Sequence, residues 1–192
     1  MNMEKFVSKA QRVSRRFVPG EVEIASSLDL MAFVNKQSLV KKIIARLTGE
    51  LELYAKAAHA AHAEATHEQS KAENKYDTRG LEASYLARGQ SRQAAETGHA
   101  IQQFAAMVVR KFSSQDPIDL GALVELEGRG ERLLYFIGPR AGGTEIAHEK
   151  KEVLVLTLGS PLGQHLAGRR QGDSLQIEMG GLRHDYRVVS VS

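Results

Sequence analysis

Two long runs of regularly spaced apolar and small residues constrain the fold of this 192-residue chain more than any other feature. In the first run such residues recur in alternating steps of four and three, at Val40, Ile44, Leu47, Leu51, Tyr54, Ala58, Ala61 and Ala65. A seam with this spacing lies along one side of an α-helix and packs against a partner helix. No proline falls between residues 36 and 112, so the run predicts one long, unbroken helix.

A second seam with the same spacing follows, at Ala83, Ala87, Gln90, Ala94, Thr97, Ile101, Phe104 and Val108. Two seams joined by a short stretch predict an antiparallel coiled-coil hairpin over residues 36–112. Large side chains lie at its base and alanines toward its tip, so the far end should be slender and the less stable. Arms of about 30 residues would extend about 45 Å.

Residues 66–80, between the two seams, are predicted to form the tip of this hairpin. They include three carboxylates, Glu68, Glu73 and Asp77, interleaved with lysines and an arginine. Ser70 and Glu73 fit a capping box, in which the second helix starts at Lys71 and Glu73 lies in its first turn. The chain therefore carries an acidic tip at the end of a long projection, which suggests delivery of charge to a distant site in another molecule.

The tip carboxylates have two interpretations. Glu73 and Asp77 are four residues apart and would lie on one helix face, where two carboxylates can share a Mg²⁺ ion. Alternatively, Glu73 only caps the helix and Asp77 pairs with Lys75 or Arg79. The nearby His59, His62 and His67 complete no zinc-type arrangement, and we expect them to be exposed to solvent.

The helical period ends near residues 113–117, which have the composition of a linker. Beyond it, short apolar runs at residues 121–126, 133–137, 153–158, 175–179 and 186–191 alternate with glycine-rich turns and predict a small sheet. Ser160, Pro161 and Gly168 predict a short helix with an N-cap, a first-turn proline and a terminal glycine. The predicted fold class is a helical hairpin followed by a small α+β domain at residues 118–192.

Composition narrows the function classes. The formal net charge is +3, and residues 36–112 carry the excess, with 12 Lys and Arg against 8 Asp and Glu. This excess is too weak to predict autonomous DNA binding. The chain has no cysteine, which excludes thiolate catalysis and disulfides, and it has no apolar run long enough to span a membrane. We expect a cytoplasmic protein, with residues 1–35 as an extension of unassigned role.

The C-terminal part resembles the Gre transcript-cleavage factors. Residues 160–173 match the Ser-Pro-(apolar)-x-x-x-Leu-x-Gly-(basic)-x-x-Gly-Asp run of their C-terminal domain, whose fold is that of FK506-binding-type proteins. At the tip, residues 72–76 (Ala-Glu-Asn-Lys-Tyr) are similar to the family's Ser-Glu-Asn-Ala-Glu-Tyr. The resemblance covers roughly residues 36–192. One departure is Ser70, which stands where the family has an aspartate.

The resemblance implies a monomeric partner of bacterial RNA polymerase. The small domain would bind near the mouth of the secondary channel through Pro161, Leu162, Arg169 and Arg170, and the hairpin would enter the channel. Glu73, helped by Asp77 or Glu68, would hold the second Mg²⁺ jointly with the polymerase, next to the RNA 3′ end. The chain would have no cofactor of its own and would stimulate the RNA-cleavage activity of the polymerase without being an enzyme itself.

Two alternatives stay open at this point. A Gre-like factor with an altered tip could bind in the channel and regulate or inhibit the polymerase without supporting cleavage. A coiled-coil adaptor that never enters a polymerase is the other, although the C-terminal motif argues against it. The glycine-rich turn at residues 138–143 follows no phosphate-binding spacing, so we expect a solvated turn there and no autonomous enzyme.

Overall fold

A computed structural model describes residues 27–67, 78–128, 130–149, 151–179 and 182–192. Two long helices come first, α1 (Ser27–Thr66) and α2 (Arg79–Ala106). The strands β1 (Leu123–Gly128), β2 (Glu131–Gly138), β3 (Glu145–His148) and β4 (Lys151–Thr157) follow. Helix α3 (Pro161–Leu166) then precedes β5 (Ser174–Met179) and β6 (Leu182–Val191). This order confirms the predicted fold class of a helical hairpin followed by a sheet-plus-helix domain.

The two seams of the hairpin lie where the sequence predicts them. Every position of the first seam is buried or half-buried, and the same holds for the second seam from Ala83 to Phe104. Toward the tip, Ala61, Ala83 and Ala87 are buried, as expected for closely approaching helices. No helix in the described residues is long and apolar enough to cross a membrane.

The bounds of both helices differ from the prediction. Helix α1 begins at Ser27, inside the predicted extension. A helix can start this early because residues 21–48 contain no proline or glycine that would interrupt it. Helix α2 ends at Ala106 and not at residue 112, with Met107 already in an extended conformation. The prediction that Val108 belongs to the seam is therefore wrong, and its side chain is 82% exposed. Met107 and Val109 instead pack, partly buried, against the apolar cluster between the helices and the sheet, because an extended chain turns alternate side chains to the same side.

The sheet has the strand order β3-β4-β2-β1-β6-β5. Strands β2 and β4 are parallel, and the other neighbours are antiparallel. Each predicted apolar run overlaps one of these strands, but β3 was not predicted. Its four residues contain one large apolar side chain, Ile146, which is buried against the hairpin.

Both faces of the central strands are covered, so the sheet separates two apolar cores. On one face Tyr135 and Ile137 of β2 pack with Leu166 of α3. On the other face Phe136 of β2 packs with the base of the hairpin. Burial of both faces explains why the runs in β2 and β4 are continuously apolar and do not alternate.

We call the hairpin base the set of buried residues that α1 and α2 place on this sheet: Leu39, Val40, Ile43, Leu47, Ala100 and Phe104. They contact Phe136, Ile146, Val153 and Val155 of β2, β3 and β4. Lys42 adds a hydrogen bond, with its Nζ donating to the Ala147 carbonyl oxygen at 3.1 Å. The hairpin is therefore packed on the domain at one end.

Candidate functional site

The predicted tip carboxylates Glu68, Glu73 and Asp77 lie outside the described residues, as do Ser70 and Lys71 of the predicted capping box. Their arrangement stays a prediction. Helix α1 ends at Thr66, and helix α2 begins at Arg79 with Thr78 as its N-cap, so the prediction that the second helix starts at Lys71 is wrong.

Side-chain hydrogen bonds order both of these helix ends. The Thr66 hydroxyl donates to the His62 carbonyl oxygen at 2.9 Å. On the other side, the Thr78 hydroxyl donates to Glu82 Oε1 at 2.8 Å, and the Glu82 N–H donates to the Thr78 carbonyl oxygen at 2.8 Å. Glu82 was not among the predicted acidic residues, although its place in the first turn favours a carboxylate.

The histidines before the tip are exposed, as expected: His59, His62 and His67 all face solvent. Across the described part of the chain, no group of three His, Asp or Glu side chains is arranged to hold a metal ion. The Mg²⁺ ion that the resemblance implies would be held by the tip carboxylates Glu73, Asp77 and Glu68.

Large apolar side chains lie on the outside of the hairpin near its tip. Leu81, Tyr85 and Leu86 lie in the first turns of α2, and their side chains are 55%, 65% and 55% exposed. Ala83 and Ala87 occupy the predicted seam, and these three residues on the outer surface were not predicted to be functional. Their type was visible in the sequence, but their exposure follows only from which helix face packs on α1.

The Ser160 motif forms a tightly built helix start. Ser160 Oγ accepts the Gly163 N–H at 3.1 Å and donates to the Thr157 carbonyl oxygen at 2.7 Å. A Cβ at Gly163 would lie 2.0 Å from that same carbonyl oxygen, so only glycine fits between the cap and strand β4. Gly168 has a φ of +77° just past the helix, as expected for a terminal glycine.

The four predicted docking residues belong to this helix and the loop after it. Pro161, Arg169 and Arg170 are exposed, and Leu162 is half-buried against the domain core. The loop is fixed by its backbone: the Ile118 N–H donates to the Arg169 carbonyl oxygen at 2.7 Å, and the Arg170 N–H donates to Asp173 Oδ2 at 2.9 Å. The structure thus holds both arginine side chains outward on an ordered loop.

A buried lysine, which the sequence analysis missed, lies where the hairpin meets the segment that leads into the domain. Lys36 is 1% exposed, and its Nζ donates to the Arg110 carbonyl oxygen at 2.6 Å. Its Nζ lies 4.9 Å and the Arg110 guanidinium carbon 3.8 Å from the centre of the Phe112 ring, as in cation–π contacts. Burial, aided by the positive charge of Arg110, lowers the pKa of Lys36 to about 8. These contacts connect helix α1 to the segment that leads from α2 into the sheet domain.

The chain was compared with known proteins by sequence and by structure. No protein-family model matches the chain. A curated relative, the transcription inhibitor protein Gfh1 of Thermus thermophilus, is 30% identical over 118 residues, which span 60% of this chain and 72% of the relative.

Two solved structures are also similar to the chain. The GreA factor homolog 1 (Gfh1) of Thermus thermophilus is 24% identical with a TM-score of 0.31, and the alignment covers 78% of this chain and 94% of that one. The elongation factor GreA/GreB from Nitrosomonas europaea is 18% identical with a TM-score of 0.31, over 62% and 95%. With a curated relative of this identity aligned over most of its length, the chain belongs to the Gre family of transcription factors.

Proposed function

We propose that this protein is an RNA polymerase accessory factor that inserts its helical hairpin into the secondary channel and inhibits transcription. The observation that carries the proposal is a long helical hairpin whose buried base fixes one of its ends to the small domain. From Ile43 at that base to Thr66 at the end of α1 is about 35 Å at 1.5 Å per residue. A projection of this length can act at a site far from the surface on which the domain rests.

The fixed base gives the hairpin a defined direction relative to the domain. A partner that binds the domain would therefore receive the tip at one place, with little entropy lost in orienting it. We place the docking surface on the loop and helix that carry Pro161, Leu162, Arg169 and Arg170, which the structure holds in an ordered and largely exposed arrangement. The protein would act there as a monomer.

Inhibition is favoured over cleavage by two observations. The matched relative is named a transcription inhibitor, and Ser70 stands where the resemblance implies an aspartate. The tip therefore lacks the carboxylate that the family has at this position, which leaves Glu68, Glu73 and Asp77 as its candidate Mg²⁺ ligands. Occupation of the channel would then act by obstruction.

Stimulation of RNA cleavage is the second candidate, and Glu73 in its family-like context favours it. Glu73, with Asp77 or Glu68, would help to hold a Mg²⁺ ion that supplies two-metal phosphodiester hydrolysis in the polymerase. Under either candidate the protein is an accessory factor and not itself an enzyme.

A single assay on stalled, backtracked elongation complexes separates the two candidates. Complexes with cognate RNA polymerase, labelled RNA and Mg²⁺ are mixed with this protein, and both RNA extension and release of 3′ fragments are followed. We expect slower extension without release of fragments. Fragment release would support the cleavage candidate, and an unchanged reaction with no binding to polymerase would contradict both.

A further inference from the structure

The outer face of α2 beside the tip carries large apolar side chains that nothing in the described structure covers. Leu81 and Tyr85 are four residues apart and so share one helix face, whereas Leu86, next to Tyr85 in the chain, points about 100° away from it. We call Leu81 and Tyr85 the tip-proximal apolar face. The buried seam on the opposite side of the helix is occupied by Ala83 and Ala87, so α1 cannot cover Leu81 or Tyr85.

The sheet domain cannot cover this face either. The domain packs on the hairpin base, where Ile43 and Phe104 are buried. Leu81 precedes Phe104 by 23 residues of the same helix, which corresponds to about 35 Å. A cluster of exposed large apolar side chains that its own molecule leaves open marks an interaction surface.

The composition of this face favours a protein over a nucleic acid as the occupant. Glu82 and Arg88 lie three residues before and three residues after Tyr85, so they flank this face with one negative and one positive charge and give it no net positive charge. Binding to nucleic acid relies on cations placed against phosphates, and a carboxylate beside the face opposes it. An apolar protein surface with few charges fits the face better.

We propose that the tip-proximal apolar face docks on an apolar part of the inner wall of the polymerase channel and provides much of the affinity of the hairpin. This inference rests on the proposed function, which puts this end of the hairpin, and with it the tip-proximal apolar face, inside the channel. The alanine seam exposes little apolar area for contact, whereas tyrosine and leucine side chains supply large contact areas at protein interfaces. In this proposal the affinity of the hairpin for polymerase comes from the tip-proximal apolar face and not from the acidic residues of the tip.

The test compares full-length variants in their binding to cognate core RNA polymerase. Leu81→Ser and Tyr85→Ser are combined, and Leu53→Ser, an equally exposed leucine farther down the hairpin, is the matched control. We expect the double variant to bind about tenfold more weakly, as loss of an aromatic anchor does. The control should stay within about twofold of the wild type. All three proteins should melt alike, because the replaced side chains are exposed.

Each other result overturns the inference in a recognisable way. If the wild type binds polymerase and the double variant binds equally well, the proposed function stands and the apolar docking face is wrong. If the wild type does not bind at all, the proposed function fails first. Equal weakening by Leu53→Ser would indicate unspecific contact along the hairpin. A dimer in sedimentation, or binding to single-stranded RNA, that only the double variant loses would assign the face to a second copy or to RNA.

Discussion

Lys36 shows most clearly what the environment does to a single side chain. Its ammonium group is buried, yet it donates to the Arg110 carbonyl oxygen and lies near the Phe112 ring, and in the described structure no carboxylate pairs with it. The cost of desolvating this charge is the first cause of its lowered pKa, and the nearby Arg110 charge is the second. A buried charge of this kind makes stability depend on pH.

We expect the free energy of unfolding to rise as the pH increases from about 8 toward 10.5. The pKa of Lys36 is about 8 in the folded protein and 10.5 as the ordinary value, so between these values the unfolded chain binds more protons than the folded one. Stability therefore increases with pH in this window, and below pH 8 the buried charge destabilises the fold in full. Urea unfolding at pH 7, 8.5 and 10 measures the effect.

Lys36→Met is the control for this prediction, because methionine keeps the length and apolar stem of the side chain without the charge. The variant should lack the part of the pH dependence that belongs to Lys36, while other titrating groups affect both proteins alike. Parallel stability curves for the variant and the wild type would contradict the assignment.

The variant Glu73→Gln tests whether the Glu73 carboxylate is a ligand of Mg²⁺. Glutamine can keep a capping box but is a poor ligand for Mg²⁺. Should the cleavage candidate hold, fragment release should fall about tenfold or more, since even supporting contacts of metal sites have effects of that size. Polymerase binding should persist. Undiminished cleavage by the variant would remove Glu73 from any metal role.

At the scale of elements, α1 is unusual in burying two faces near its start. Val40 and Leu47 belong to the predicted seam, and Leu39 and Ile43, which do not, are fully buried in the same apolar cluster with residues of the sheet. The heptad pattern describes the first face because its period is that of a helix pair. The second face exists because the sheet supplies Ile146 and Val153 as partners.

Ile43→Ala should therefore destabilise the protein by about 2–4 kcal/mol, because it leaves a cavity between hairpin and sheet. Leu53→Ala on the same helix removes a side chain that is 68% exposed and should change stability by less than about 0.5 kcal/mol. Chemical denaturation of both variants measures the difference. Equal effects would mean that the hairpin base does not pack on the sheet as described.

For the whole molecule, the joint between hairpin and sheet depends on the absence of a side chain at Gly138. A Cβ at this position would lie 2.8 Å from Phe104 Cζ and 2.9 Å from Val155 Cγ1. Both neighbours are buried in the hairpin base or the strand that faces it, so neither can move away easily. Gly138 thus permits the close approach of the two halves of the protein.

Gly138→Ala should weaken this joint, with a loss of about 1–3 kcal/mol in stability from overpacking. Polymerase binding should weaken in addition, since the tip would no longer be held in one direction. Gly159→Ala, where an added Cβ meets nothing within 4 Å, is the matched control and should leave both properties unchanged. A Gly138 variant as stable as this control would show that the joint tolerates the methyl group.

Local patterns in the sequence determined much of this protein. Two seams with a helical period were sufficient to predict the hairpin, and Ser160 with Gly168 predicted α3, because a cap and a terminal glycine act within a few residues. The apolar runs predicted the strands β1, β2, β4, β5 and β6. The candidate docking residues come from the family resemblance around Pro161 and stay a prediction.

What only the tertiary structure decided involves residues far apart in the chain. Lys36 is buried through a contact with Arg110, 74 residues away, and β3 is a strand because β4 offers an edge and Ile146 a place against the hairpin. Val108 lies outside the predicted seam because helix α2 ends at Ala106 and the chain continues toward the domain in an extended conformation. Leu81 and Tyr85 became an exposed face because packing on α1 uses the other side of the helix. Periodicity reports one favoured face per element, whereas long-range packing selects which further faces are covered.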